Sequence, residues 1–183
     1  MSAARVFATA TLLPNGEVLV AGGAPALNGH CAATADLFNP ATGQWTTTGS
    51  MTTARCSHSA ILLPNGQGLI AGGNNLTDSN SLSSAELFNL ATGTWQATGS
   101  LNVAREGQLS ALLQNGKVLV AGGHDFVNGT FTDLASVELF DPSQGKWSLT
   151  GSLSIPDGTP FGSPLCRNGA AVFAWSHREM GGN

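Results

Sequence analysis

The sequence of 183 residues contains no tyrosine, and Asp, Glu, Lys and Arg together make up only 10% of it. A typical globular protein carries about 25%. The seven Lys and Arg residues are too few to form a cationic stripe along a phosphate backbone, which argues against a nucleic-acid partner. No apolar run approaches the ~18 residues of a membrane span, and residues 1–6 lack the pattern of a signal peptide. We therefore expect a soluble chain with no signal peptide and no transmembrane segment.

Cysteine is also scarce. Cys31, Cys56 and Cys166 occupy non-equivalent positions and form neither a metal-binding pattern nor an even set for disulfides. Glycine is abundant instead, with 24 Gly and 8 Pro, and 42% of the residues are hydrophobic. This composition predicts a folded chain with many turns and no long helices.

Several short motifs recur about every 50 residues, which indicates a repeat architecture. The motifs are Leu-Pro-Asn-Gly at 13–16 and 63–66 with Leu-Gln-Asn-Gly at 113–116, Ala-Gly-Gly at 21–23, 71–73 and 121–123, an acid-Leu-Phe triplet at 36–38, 86–88 and 138–140, and Trp45, Trp95 and Trp147. Each unit is one supersecondary motif that cannot bury its own face, so the units must stack on one another.

The second unit illustrates the strands that the pattern predicts. Ser59–Leu63 is an apolar run that ends in Pro-Asn-Gly, and Asn-Gly supplies the positive φ angles of a tight hairpin. Gly68–Ala71 is a second strand, Ser84–Phe88 a third, and Trp95 opens a fourth. Four antiparallel strands in about 50 residues are typical of a propeller blade.

These residues resemble the kelch repeat: a double glycine after a short apolar strand, an acid-Leu-Phe strand some 13 residues later, and a tryptophan seven residues beyond it. The resemblance covers residues 1–150 and, weakly, 151–176. It implies an all-β fold, a kelch-type β-propeller with about 3.5 four-stranded blades per chain. It also places Arg55–Leu63 on the innermost strand beside a central channel and Trp95 on the outer strand. Kelch repeats usually carry Tyr where this chain has Phe38, Phe88 and Phe140, a difference of packing.

The repeat divides the chain into blade 1 at 1–50, blade 2 at 51–100, blade 3 at 101–152 and a degenerate half blade at 153–183. Propeller rings usually have about four to eight blades, and an open arc leaves strand edges unpaired. Either the chain is a piece of a longer propeller, or two copies meet head to tail and close a ring of about six to eight blades. We expect the homodimer.

Residues that recur in every unit are expected to serve the framework. Arg5, Arg55 and Arg105 are interpreted as donors of structural hydrogen bonds, with a ligand-binding ring of arginines as the alternative. The tripeptides that follow them differ, and so do the loops at 24–35, 74–83 and 124–136. Such differences on a rigid scaffold predict binding residues at the channel mouth. The predicted ligand-binding residues are Arg55, Cys56, Gln108, Asn74, Asn75 and His124.

The same face carries many oxygen-bearing side chains, which is the ligand type that calcium prefers. The predicted metal ligands are Asp78, Asp125 and Asp133, and the predicted catalytic residues are His58, Glu106 and Asp157. The simpler interpretation is that Asn and Asp act as turn formers. Cys56 and His58 stand two apart on a predicted strand and so point the same way; a thiolate activated by His58 is one hypothesis, and two ordinary inner-strand residues is the simpler one.

Two function classes follow. The first is a module that binds a protein, glycan or small-molecule ligand with its variable loops, as the resemblance to kelch propellers implies. The second is a hydrolase in which calcium at the channel mouth assists cleavage of a lactone or ester, by analogy with other propeller enzymes. Copper radical oxidases on kelch-containing propellers require tyrosine as radical and ligand, and this chain has none.

Overall fold

The computed structural model describes residues 1–27, 29–75, 80–127, 129–154 and 156, together with the backbone of Leu165–Arg167 and Ala170–Val172. Every regular element in the described part of the chain is a β-strand. Accordingly, none of those residues belongs to a helix long and apolar enough to cross a membrane.

Three four-stranded antiparallel sheets follow one another along the chain. Blade 1 consists of β1 (Thr9–Leu12), β2 (Val18–Ala21), β3 (Ala35–Asn39) and β4 (Gln44–Thr47), and blade 2 of β5 (Ser59–Leu62), β6 (Gly68–Ala71), β7 (Ala85–Asn89) and β8 (Thr94–Ala97). Blade 3 consists of β9 (Leu109–Leu112), β10 (Val118–Ala121), β13 (Val137–Asp141) and β14 (Lys146–Leu149). The strands pair in that order within each blade. The predicted all-β fold of consecutive four-stranded antiparallel blades is therefore confirmed.

Two additional hairpins complete the described strands. β11 (His124–Val127) pairs with β12 (Thr130–Asp133) between the second and third strands of blade 3, where the sequence predicts a loop over 124–136. β15 (Leu165–Arg167) pairs with β16 (Ala170–Val172) inside the predicted half blade.

The turns follow the predicted residue chemistry. Gly16, Gly66 and Gly116 close the first hairpin of each blade with φ between 78° and 84°, which only glycine adopts without cost. Register is the same in every blade, so that Leu19, Leu69 and Leu119 each stand opposite the Leu of the acid-Leu-Phe motif.

The core lies between blades and not within a single sheet. Large apolar side chains from two consecutive blades meet at each seam and are almost fully buried. At the seam of blades 1 and 2 they are Leu13, Leu19, Met51, Ile70 and Phe88, and at the seam of blades 2 and 3 they are Leu63, Leu69, Leu101, Val118, Phe140 and Trp147. Each blade thus depends on a neighbour to remove its faces from water.

Candidate functional site

The recurring arginines form a buried framework. The guanidinium of Arg55 is fully buried, lies 3.0 Å from Glu86, and donates to the carbonyl oxygens of Gly72 and Ser84 at 2.8 and 3.0 Å. Burial lowers the pKa of Arg55, and the neighbouring Glu86 carboxylate opposes that shift. An arginine paired in this way is enclosed by framework atoms, which fits the structural interpretation, and its ligand-binding role stays a prediction.

The same pairing occurs in the other two blades. Arg5 contacts Asp36 at 3.1 Å and Arg105 contacts Glu138 at 3.0 Å. The acid also accepts hydrogen bonds from the backbone at the start of its blade, as in Thr52 and Thr53 to Glu86. The acid of the acid-Leu-Phe motif is therefore the partner of the arginine some thirty residues before it.

The variable tripeptides adopt one backbone conformation. Their middle residues, Phe7, Ser57 and Gly107, have φ values of 58°, 53° and 64°, in the left-handed region. The N–H of Ser57 donates to the carbonyl of Phe7, and the N–H of Gly107 donates to that of Ser57. This turn breaks the alternation of a strand, so the strand geometry from which Cys56 and His58 were predicted to point the same way is not present.

The third residues of the tripeptides fill the seams between blades. The Nε2 of His58 lies 2.8 Å from Thr9 Oγ1 of blade 1, and a Cβ at Gly22 would stand 2.7 Å from the imidazole. Gln108 occupies the equivalent place in the next seam, where its Nε2 donates to the Ala71 carbonyl at 2.9 Å. Neither the catalytic role predicted for His58 nor the ligand-binding role predicted for Gln108 fits this enclosed position.

Burial has a clear electrostatic effect on His58. It lowers the pKa of the imidazole to about 3, and the positive charge of Arg55 contributes to the same shift. The seam between blades 1 and 2 thus contains a neutral histidine at physiological pH.

Cys56 forms a disulfide with Cys31. Cys31 lies in the loop after β2 of blade 1, and Cys56 lies before β5 of blade 2, so the bond ties the loop of one blade to the start of the next. Both residues are buried with Ala24. Since the sulfur is bonded to Cys31 and enclosed, the thiolate hypothesis is wrong, and the ligand-binding role of Cys56 stays a prediction.

The structure does bring several predicted site residues together, at the seam of blades 2 and 3. The backbones of Glu106 and His124 are paired, and Glu106 Oε1 lies 3.5 Å from His124 Nε2. The other carboxylate oxygen accepts a hydrogen bond from Asn74 Nδ2. Asp125 follows His124 on β11. We call Asn74, Glu106, His124 and Asp125 the polar cluster.

Glu106 is the electrostatic centre of the polar cluster. It is buried, and burial raises the pKa of its carboxyl above the ordinary value of 4.5; His124 opposes this shift and the negative charge of Asp125 adds to it. The disulfide lies beside the cluster, with Cys31 Sγ 3.6 Å from Asn74 Oδ1. The polar cluster therefore places the buried carboxyl group of Glu106 beside the imidazole of His124, at the base of the β11–β12 hairpin.

The hairpin carries exposed apolar side chains that sequence reasoning missed. Phe131 on β12 is 62% exposed and Val127 on β11 is 46% exposed. The ring of Phe131 packs against Phe126, with centroids 4.3 Å apart, and edge-on against His124 at 4.8 Å. The backbone of Phe126 is fixed to blade 2 by two hydrogen bonds with Ser81.

A local signal for this hairpin exists in the sequence. Residues 126–131 read Phe-Val-Asn-Gly-Thr-Phe, and Asn-Gly between apolar β-formers is a strong short-range hairpin signal. The Asn-Gly signal therefore predicts the hairpin, and the phenylalanines on either side of the turn, Phe126 and Phe131, form its aromatic pair.

Two of the remaining predicted residues adjoin the polar cluster. Asp133 is exposed on β12, directly opposite His124, and Asn75 is half-buried beside Asn74. Asp78 and Asp157 lie outside the described residues. Within the described ranges no three residues among His, Cys, Asp and Glu come close enough to hold a metal ion. Calcium thus stays a prediction from the sequence.

Comparison with known families agrees with the architecture. The family model described as Kelch motif matches residues 108–154, a range that begins just before β9 and runs past β14 of blade 3. No curated protein matches the chain. Blades 1 and 2 repeat the strand order and register of the matched blade. Blade 3 thus contains a Kelch motif, and the three blades together form a series of four-stranded antiparallel sheets consistent with kelch repeats.

Proposed function

We propose that this kelch-repeat protein is a binding module that holds a protein partner through the β11–β12 hairpin and the adjoining loop face. The observation that carries the proposal is the exposure of Phe131 and Val127 on regular strands. An aromatic ring held in a fixed position provides apolar contact area at low conformational cost, which is the character of interface hot spots.

The surroundings of the hairpin support an interface of mixed character. Phe131 stands on Phe126 and His124, so the ring is pre-organised in the free protein. The polar cluster at the hairpin base supplies buried hydrogen-bonding groups, and Asp133 on β12 is exposed. An apolar centre bordered by polar groups is the usual anatomy of a protein–protein contact.

A peptide display experiment tests this proposal. Peptides are selected from a random displayed library on the immobilised wild-type protein, and their affinities are then measured for Phe131→Ala and for Leu149→Ala. Leu149 is a matched control because it is 58% exposed on the edge strand β14, which belongs to the blade 3 sheet and not to the hairpin. We expect Phe131→Ala to weaken the selected peptides by at least about tenfold and Leu149→Ala to leave them unchanged.

Other outcomes contradict the proposal. If no peptides are enriched, or if the enriched peptides bind both variants equally, the hairpin is not the binding surface. If a glycan array gives ligands that depend on Phe131 while the peptide library gives none, the partner is a sugar and not a protein. Nothing in the described residues favours the calcium-dependent hydrolase, so that alternative is not part of the proposal.

A further inference from the structure

The first hairpin turn of each blade contains an Asn-Gly dipeptide, at 15–16, 65–66 and 115–116. In every turn the glycine N–H donates at 2.9 Å to the leucine carbonyl two residues before the asparagine. The asparagine Oδ1 accepts the N–H of the residue after the glycine at 3.1 Å. Because glycine has no side chain, its nitrogen is open to approach by the preceding asparagine amide. Each turn therefore contains a chemically reactive amide.

In the first two blades, the residue after the glycine holds this amide in place. Asn65 Nδ2 donates to Gln67 Oε1 at 2.8 Å, and Asn15 Nδ2 donates to the Glu17 carboxylate at the same distance. Together with the contact at Oδ1, this bond fixes the amide at both of its polar atoms. The amide must rotate before its carbon can face the glycine nitrogen, so both hydrogen bonds must break for a reaction to occur.

The turn of blade 3 lacks the second of these bonds. The residue after its glycine is Lys117, whose ammonium group has no lone pair and cannot accept a hydrogen bond. Lys117 Nζ instead lies 2.9 Å from a carboxylate oxygen of Asp141 on β13. Asn115 is exposed, and among the described residues nothing accepts a hydrogen bond from its Nδ2. The Asn115 amide is thus held by one hydrogen bond, where that of Asn65 is held by two.

The turns of blades 2 and 3 are closely matched in backbone and packing. Gly66 and Gly116 have φ values of 83° and 78°. A Cβ at Gly66 would stand 3.6 Å from the Pro14 ring of the preceding blade, and a Cβ at Gly116 would stand 3.7 Å from the Pro64 ring. Both asparagines are exposed. The two turns therefore allow a comparison, within one molecule, of an amide with and without the second hydrogen bond.

We infer that Asn115 is a deamidation site of this protein and that it reacts faster than Asn65. In the reaction, the backbone nitrogen of Gly116 loses its proton and bonds to Cγ of Asn115, and the Cγ–Nδ2 bond breaks to release ammonia. Water then opens the cyclic imide to aspartate or isoaspartate. The isoaspartyl product adds a methylene to the main chain of the turn between β9 and β10, and either product adds a negative charge to that turn.

Ageing of the folded protein at slightly alkaline pH tests the inference. Aged samples are digested, and mass spectrometry follows the conversion of each asparaginyl peptide to its aspartyl and isoaspartyl forms. The same ageing in urea removes the turns and controls for the different residues before the two asparagines. We expect the ratio of the Asn115 rate to the Asn65 rate to be about fivefold higher in the folded protein than in urea, the effect of one hydrogen bond. Peptide mapping separates these sites from Asn128 and Asn168, which also precede glycine but lie outside the described residues.

Exchanging the residues after the glycines identifies the cause. Lys117→Gln supplies the missing acceptor and should slow Asn115 to the rate of Asn65, whereas Gln67→Lys should accelerate Asn65 about fivefold. Lys117→Met is the matched control, because it removes the positive charge and the contact with Asp141 without supplying an acceptor. Asn115 should keep its wild-type rate in that variant. Each variant is aged at a temperature at which circular dichroism shows it to be folded.

Two results overturn the inference. A ratio of the Asn115 and Asn65 rates that is the same in the folded protein as in urea would show that the second hydrogen bond does not govern the reaction. Deamidation that slows in Lys117→Met as much as in Lys117→Gln would assign the effect to the charge of the lysine and not to the missing acceptor.

Discussion

At the residue scale, some positions that differ between blades fill the seams, whereas others form the exposed hairpin. The tripeptides after the arginines were expected to face a channel, yet the side chains of His58 and Gln108 lie in the seams. The left-handed φ of Ser57, 53°, turns the chain just before the strand, and the small Gly22 of the preceding blade leaves room for the imidazole. The third residue of the tripeptide can differ between blades 2 and 3 because His58 and Gln108 fill equivalent gaps.

This placement makes the stability of the seam depend on pH. The pKa of His58 falls from 6.5 to about 3 in the folded state because the imidazole is buried. The unfolded chain therefore binds a proton that the folded chain does not between these two values. The contribution of His58 to stability is fully present above about pH 6.5 and is lost as the pH falls toward 3, by a total of about 5 kcal/mol.

His58→Gln should remove that dependence. Glutamine already fills the equivalent seam as Gln108, where it donates to the backbone of the preceding blade, so the substitution introduces a side chain that this site accommodates. We expect urea unfolding to give equal stabilities for the two proteins near pH 7 and a more stable variant near pH 4. A variant that loses stability in parallel with the wild type on acidification would contradict the assignment, and Gln108→Ala serves as a control for loss of seam contacts without a titrating group.

At the element scale, repetition explains how much of the fold is predictable. The predicted strand Gly68–Ala71 has the observed bounds, because an apolar run between Asn-Gly and Gly-Gly allows few alternatives. The disulfide was not predictable, since Cys31 and Cys56 are brought together only when the loop after β2 folds over the next blade. The β11–β12 hairpin is an intermediate case: its Asn-Gly signal is local, but the repeat directs attention to what the blades share and not to the insertion.

The disulfide should contribute substantially to the stability of the first two blades. It joins residues separated by 25 positions, and a cross-link of that span restricts the unfolded chain by about 3 kcal/mol. The double substitution Cys31→Ser and Cys56→Ser should lower the unfolding free energy by about that amount, while Cys166→Ser should have little effect. Thiol titration of the oxidised, denatured chain should give one reactive thiol, and three after reduction; three before reduction would show that the bond does not form.

At the scale of the whole molecule, the blades are equivalent in strand order but not in environment. Phe88 and Phe140 are completely buried, whereas Phe38 of blade 1 is half-buried. The difference arises from the neighbour that blades 2 and 3 have and that blade 1, among the described residues, does not. The burial of the phenylalanine in each acid-Leu-Phe motif therefore shows whether a neighbouring blade covers it. Substitutions at equivalent positions should accordingly have different effects on stability in covered and uncovered blades.

Three equivalent glycines turn this into a measurement. Gly49→Ala and Gly99→Ala each force a Cβ to within 2.3 Å of a carbonyl oxygen of the next blade. Both should therefore lower the melting temperature by several degrees, since a chain of this size loses about 2–4 °C per kcal/mol of destabilisation. Gly151→Ala, at the position that follows β14 as Gly49 follows β4, adds a Cβ that meets no atom of the described residues within 4 Å, so it should leave the melting temperature unchanged. If Gly151→Ala instead lowers the melting temperature as Gly49→Ala does, Gly151 lies in a filled seam, and the equivalence of the blades extends beyond the third.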